Sequence, residues 1–260
     1  MRLPELVQSY VEYCRYIKGA EKSGTLDLSK ISWVYPTTFV PLAGYIEKNE
    51  NRIAVIPPEK TEVKRYLDVL KGIHPNMKKG KSCVPIIQLK TKKDDVDELL
   101  KGFEENEHYC GGKNCFNYLV NELIANIYEH SKFTNAYVAA QRYDSKKFTE
   151  ICFYDNGITI PGSYENKGMR FKDSEAIIQA LNGLSSKDEQ DRGHGLSSST
   201  NIILKEFGGD IFIVSRKSGV FLSKNLTMGY NLEGINVIQG TMLGIRIPLT
   251  TKAVDIYGYV

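Results

Sequence analysis

Residues 117–131 read NYLVNELIANIYEHS, and the spacing within them decides how the rest of the chain is read. Leu119, Val120, Leu123, Ile124 and Ile127 recur at three- and four-residue steps, the period of a helix with one apolar face directed at a sheet. Glu122, Asn126 and Glu129 fall at i, i+4 and i+7 and share a second stripe. Asn is a mediocre helix former, and here it stands mid-helix between apolar neighbours. A carboxylate one turn before an amide suits two tasks. The first orients a water or a hydroxyl. The second offers an oxygen to Mg²⁺, a hard cation that takes one or two protein oxygens and completes its shell with phosphate and water. The plain alternative is an amphipathic helix with an ordinary polar side.

Downstream, the spacing predicts adjacent strands over 136–143 and 147–155, joined by a turn at Asp144-Ser145. The second strand ends in ICFYDNGITIPGS. A fixed carboxylate at Asp155 can accept a hydrogen bond from an exocyclic amine, and Gly157 would let a base approach the backbone. A strand running into a turn is the bland reading. A polar stretch follows, with one helical piece over 174–182. Then DRGHGLSSST (191–200) places Gly193 and Gly195 before a helix running from about Leu196 to Phe207. Free N–H groups at such a start suit phosphate, although the spacing is neither a Walker loop nor GxGxxG after a strand. Strands are expected over 210–216, 220–224 and 241–247, the last opening on Gly240-Thr241.

Taken in order, these segments resemble the ATP-binding domain of the GHKL, or Bergerat-fold, ATPases. NELIANIYEH is similar to the family's N box, DNGITIP to its DxGxGIP box, RGHGL to its second glycine box and QGTMLGIRIPL to its closing GT…LP segment. The resemblance spans about residues 108–250. Glu122, Asn126 and His130 match the E-x-x-x-N-x-x-x-H pattern of stand-alone anti-sigma-factor kinases, which are histidine-kinase-like in fold. The resemblance implies ATP and Mg²⁺ as cofactors. It makes Glu122 the catalytic base and Asn126 the Mg²⁺ ligand. Asp155 would select adenine, Gly157 would let the base approach, and Ile160 and Thr241 would be further nucleotide-binding residues. The phosphates would meet Gly193, Gly195 and Leu196, flanked by Arg192 and His194 and by the Ser186-Lys187 pair of a lid over 162–192. Two departures stand out: Thr159 replaces the second glycine of DxGxGIP, and Asp191 the first of GxGxG. The activity implied is an ATPase or a serine/threonine protein kinase that regulates a protein partner. Two alternatives are a non-catalytic, nucleotide-dependent interaction module and a sensor histidine kinase fragment.

Upstream, Leu3, Leu6, Val7, Tyr10, Val11, Cys14 and Ile17 predict a helix over 3–18, ended by Gly19–Gly24. Strands are expected over 26–31, 52–56 and 84–90, and helices over 37–47, 59–70 and 94–103. The segment around Tyr35-Pro36-Thr37-Thr38 loosely resembles a STAS domain, with Thr37 at the position phosphorylated in partner switching. The family's usual Asp and following Gly are absent there. Alternatively, Thr37 and Thr38 simply cap the next helix. The fold class expected is therefore α/β and α+β. A small STAS-like α/β domain over 1–105 precedes a Bergerat-fold sandwich over 106–260, with helices on one face of a mixed sheet.

The 260 residues suffice for one large or two modest domains, and the boxes favour two, with a boundary near residue 106. Charges nearly cancel, 34 basic against 31 acidic, which speaks against a nucleic-acid partner. No apolar run reaches the length of a membrane span. The first residues carry charge and do not read as a signal peptide. Five cysteines without a CxxC pair read as reduced thiols of a cytoplasmic protein. His108, Cys110 and Cys115 lie close together but match no zinc spacing. The resemblance also admits a homodimer.

Overall fold

The computed structural model describes residues 2–70, 83–91, 107–184, 195–235 and 238–259. Its centre is the β-hairpin formed by β4 (Ala136–Tyr143) and β5 (Phe148–Asp155), which pair in register from Ala136↔Asp155 to Tyr143↔Phe148. Five further strands extend it into one sheet: β3 (Cys83–Leu89), β6 (Asp210–Ser215), β7 (Ser218–Ser223), β8 (Leu226–Asn231) and β9 (Thr241–Pro248). The order is β3-β4-β5-β9-β6-β7-β8, and every pairing is antiparallel, so the mixed sheet expected from the sequence is corrected.

Successive side chains of a strand point to opposite faces, and here both faces are apolar. Val138, Ala140, Ile151, Phe153, Ile213 and Ile245 enter one core. Tyr137, Ala139, Cys152, Tyr154, Phe212 and Met242 enter another. On the first face lie α4 (Lys113–His130), α6 (Asp173–Leu181), α7 (Gly195–Asn201) and a π-helical turn (Ile202–Glu206). The apolar stripe of α4, Leu119 to Ile127, is buried there as its spacing predicts. On the second face lie α1 (Glu5–Ser23) and α2 (Pro36–Lys48), which bury Leu6, Tyr10, Tyr13, Ile17, Phe39 and Leu42. Helices therefore cover both faces and not one. Residues 1–105 also share the sheet of residues 106–260, since β3 pairs with β4 and α2 lies over β4 and β5.

A two-stranded parallel sheet, β1 (Thr25–Asp27) with β2 (Ala54–Ile56), flanks α1 and leads into α3 (Thr61–Leu70). Helix α1 runs past Gly19 and stops at Gly24, whose φ of 71° and N–H bond to Ala20 O close it. A short helix, α5 (Ile160–Glu165), and strand β8 went unread in the sequence. The helix expected over 94–103 lies outside the described residues.

Thr37 is fully buried at the start of α2. Its N–H and its hydroxyl both donate to Glu150 Oε1, at 2.9 and 2.7 Å. Arg246 Nε donates to Glu150 Oε2 at 2.8 Å, and its Nη1 reaches Glu5. A carboxylate from β5 thus takes the place of a side-chain cap, and Thr37 has no exposure at which a kinase could reach it.

Candidate functional site

Helix α4, the end of β5, residues 158–164, α6, the start of α7 and strand β9 surround a cavity of about 140 Å³. Asn126, His130, Asp155, Ile160, Gly195, Leu196 and Thr241 line it, so seven residues singled out in the sequence converge on one space. Glu122 and Gly157 are not among its lining residues; Glu122 lies against Gly195, and the Gly157 N–H donates to Asp155. Ser186, Lys187, Arg192, Gly193 and His194 lie outside the described residues, as does Asp191.

Asp155 brings a buried carboxyl to the cavity lining. Burial pushes its carboxyl up to about 7, against the pull of the Gly157 N–H, which donates to Oδ1 at 2.9 Å, and of the nearby Ser131 hydroxyl. Such a perturbed group beside an apolar cavity is a candidate binding or catalytic position. The loop after it is fixed. Asn156 Oδ1 accepts from Thr134 N and Asn135 N at 3.0 and 2.9 Å, and Ile158 N donates to Ser131 O. A Cβ at Gly157 would run into Ser131 O and come within 2.9 Å of Phe133 N. The close approach that Gly157 permits is therefore to the chain's own backbone at the end of α4.

Asn126 lines the cavity with its amide Nδ2 buried and unpartnered. A half-turn about the last bond exchanges its nitrogen and oxygen, so the same position can present an oxygen to a cation. That unmet amide fits a Mg²⁺ whose other ligands come from a bound phosphate and from water. Among the described residues there is no cluster of three metal-ligating acids, histidines or cysteines. Glu122, one turn earlier, presses on the start of α7: a Cβ at Gly195 would collide with Glu122 Oε2. Burial raises the Tyr118 phenol, the Glu122 charge raises it further, and the Ser198 hydroxyl opposes them, so these three groups share one corner.

Behind the cavity, Ile160 N donates to Ser215 Oγ at 3.0 Å, and Ser215 Oγ lies 3.2 Å from Thr241 Oγ1. Ser215 and Thr241 are register partners of β6 and β9. That pairing is the signal that could have revealed Ser215, and it needs the strand order, which spacing does not supply. Ser131 was missed as well, although it directly follows His130. Thr159, the departure from glycine, caps α5: its Oγ1 accepts from Gly162 N at 3.2 Å and from Arg216 Nε at 2.9 Å. Arg216 in turn holds Glu165 through two bonds of 2.6 and 2.5 Å. The described part of the expected lid is packed through Tyr164, Ile177 and Leu181.

Comparison of the chain with protein-family models, with curated proteins and with solved structures finds no match. No described helix is long and apolar enough to cross a membrane.

Proposed function

We propose that the cavity binds Mg-ATP and that the chain acts as a GHKL-type ATPase or serine/threonine protein kinase, regulating a protein partner in the cytoplasm. The observation that carries this reading is the buried carboxyl of Asp155, which faces one cavity together with the unpartnered amide of Asn126 and the start of α7. In this reading the sheet with α4, α6 and α7 is the Bergerat sandwich. The parallel β1–α2–β2 unit is its STAS-like neighbour.

Asp155 accepts the exocyclic amine of adenine. The Gly195 and Leu196 N–H groups, with Gly193 before them, receive phosphate oxygens. The resemblance assigns Ser186, Lys187, Arg192 and His194 to the phosphates as well, and they lie outside the described residues. Asn126 turns its amide oxygen to the cation, and Mg²⁺ when bound neutralises phosphate charge. Glu122 takes the proton from a water or an acceptor hydroxyl. Phosphoryl transfer asks the protein mainly to position groups and stabilise charge, which suits so sparse a set.

A second reading, a non-catalytic module switched by nucleotide, is favoured by Thr159, which is fixed by Arg216 where the family keeps a flexible glycine. Incubation with γ-labelled ATP separates the two. The Glu122→Ala variant is expected to lose phosphate release or transfer by about a hundredfold or more. Equal turnover by wild type and variant would support the module.

A further inference from the structure

Past β9 the chain turns back over the first-face helices, a course the nucleotide reading does not use. Leu249 N–H donates to Lys147 O, Thr250 N–H to Tyr109 O and Val254 N–H to Gly111 O, each at 2.9 Å. Val254, Ile256 and Tyr259 then pack against the first-face core. Tyr259 grips α7 and the turn after it. Ser198 Oγ donates to Tyr259 O at 2.7 Å, and the Tyr259 hydroxyl donates to Glu206 Oε1 at 2.5 Å. Residues 249–259 are thus tied to the backbone around residue 110 and to α7.

Ser198 is 7% exposed and stands one turn after Gly195, on the same side of α7. On α4, Tyr118 and Glu122 are likewise one turn apart. The two helices meet turn for turn. Glu122 Oε2 crowds the place where a Cβ of Gly195 would stand, and the Tyr118 phenol feels both the Glu122 charge and the Ser198 hydroxyl. Glu122 therefore bears on the start of α7, and Tyr259 holds that helix where Ser198 stands. Tyr118, Ser198 and Tyr259 are not among the residues lining the cavity.

Resting on the catalytic reading above, we propose that residues 249–259 are a strap that sets α7 against α4, with Ser198 as the positioning residue that carries its hold to Glu122. The strap controls turnover more than nucleotide capture. Glu122 takes a proton only from a water or hydroxyl within hydrogen-bond reach, and a misplacement of about 1 Å costs about a hundredfold in rate. Loosening the strap at Ser198 leaves every lining side chain as it is.

The test compares the full chain with Ser198→Ala, reading release of γ-labelled phosphate, and ATP affinity by calorimetry with Mg²⁺. Ser198→Ala is expected to lower turnover about tenfold while ATP affinity stays within about twofold. Ser198→Thr, which keeps the hydroxyl, should stay within about twofold of wild type in turnover. Tyr259→Phe, which removes the bond to Glu206, should also lower turnover, and covers the case in which Ser198→Ala does not fold. Added to Glu122→Ala, Ser198→Ala should cost nothing further, because the strap acts through that carboxylate. A merely structural role would lower affinity and turnover together, or add its loss to that of Glu122→Ala, and either result would overturn the proposal. So would unchanged turnover in Ser198→Ala. A wild type that binds ATP without turnover, or does not bind it, would overturn the catalytic reading and the proposal with it, a separate failure visible before any variant is made.

Discussion

Asp155 carries a measurable cost. Its folded carboxyl titrates near 7, above the ordinary 3.8, because burial disfavours the ion. The folded state therefore holds this proton more tightly than the unfolded chain does. The stability from that proton is complete below about pH 4 and is lost as pH rises through 7. Asp155→Asn removes this dependence and keeps an oxygen for the Gly157 N–H. The variant should match wild type near pH 4 and exceed it at pH 8, by at most about 4 kcal/mol, read as denaturation midpoints across pH. The same titration predicts nucleotide affinity. An amine needs the ionised acceptor, so ATP binding should weaken as pH falls below 7, approaching about tenfold per pH unit, which calorimetry at pH 6 and 8 would show.

Two glycines at the site should respond differently to alanine. At Gly157 the new methyl meets the backbone of Ser131 and Phe133, which cannot yield without moving the end of α4. At Gly195 it meets the tip of the flexible Glu122 side chain. Gly157→Ala should lower the melting temperature sharply. Gly195→Ala should fold near normally and lose turnover through a displaced Glu122. Asn126 was legible in the sequence because it is a polar residue inside an apolar run, and Asp155 because it ends one just before Asn156-Gly157. Ser131 and Thr159 were not, because their roles depend on what the fold brings beside them.

At the scale of elements, the start of α2 shows how a local reading misleads. Thr37 and Thr38 look like caps or a modification site, yet the cap comes from Glu150, more than a hundred residues away. Burial pushes the Glu150 carboxyl up, while Arg246 and the Thr37 donors oppose it. Thr37→Val should cost about 1–3 kcal/mol, since Glu150 loses a buried donor, and urea denaturation would measure it. Thr37→Glu sets a second carboxylate against the first and should prevent folding, seen as insoluble expression. Strands β4, β5 and β9 were legible from their apolar runs. Strand β8 was not: it is an edge whose alternate residues are exposed, so LTMGYN carries little hydrophobic signal. Helix α5 is six residues long, too short to establish a period.

For the whole molecule, the sequence showed where the sheet lies but not that both its faces are covered. Alternation within β4 and β5 is hidden when both sides are apolar, so the second face looked like ordinary strand composition. The consequence is that α1 and α2 belong to the fold of the sheet. A fragment of residues 107–259 would expose Tyr137, Tyr154, Phe212 and Met242 and is expected to aggregate. Recovery of a monomeric, cooperatively melting fragment would show that the second face can stand alone.

The central claim is that this sheet and its first-face helices form a nucleotide site around Asp155. Isothermal titration of the full chain with ATP and Mg²⁺ tests it most directly, with Asp155→Ala beside wild type. The expected result is one nucleotide per chain with micromolar affinity, abolished by the substitution. Absence of binding by wild type, or undiminished binding by Asp155→Ala, would contradict it.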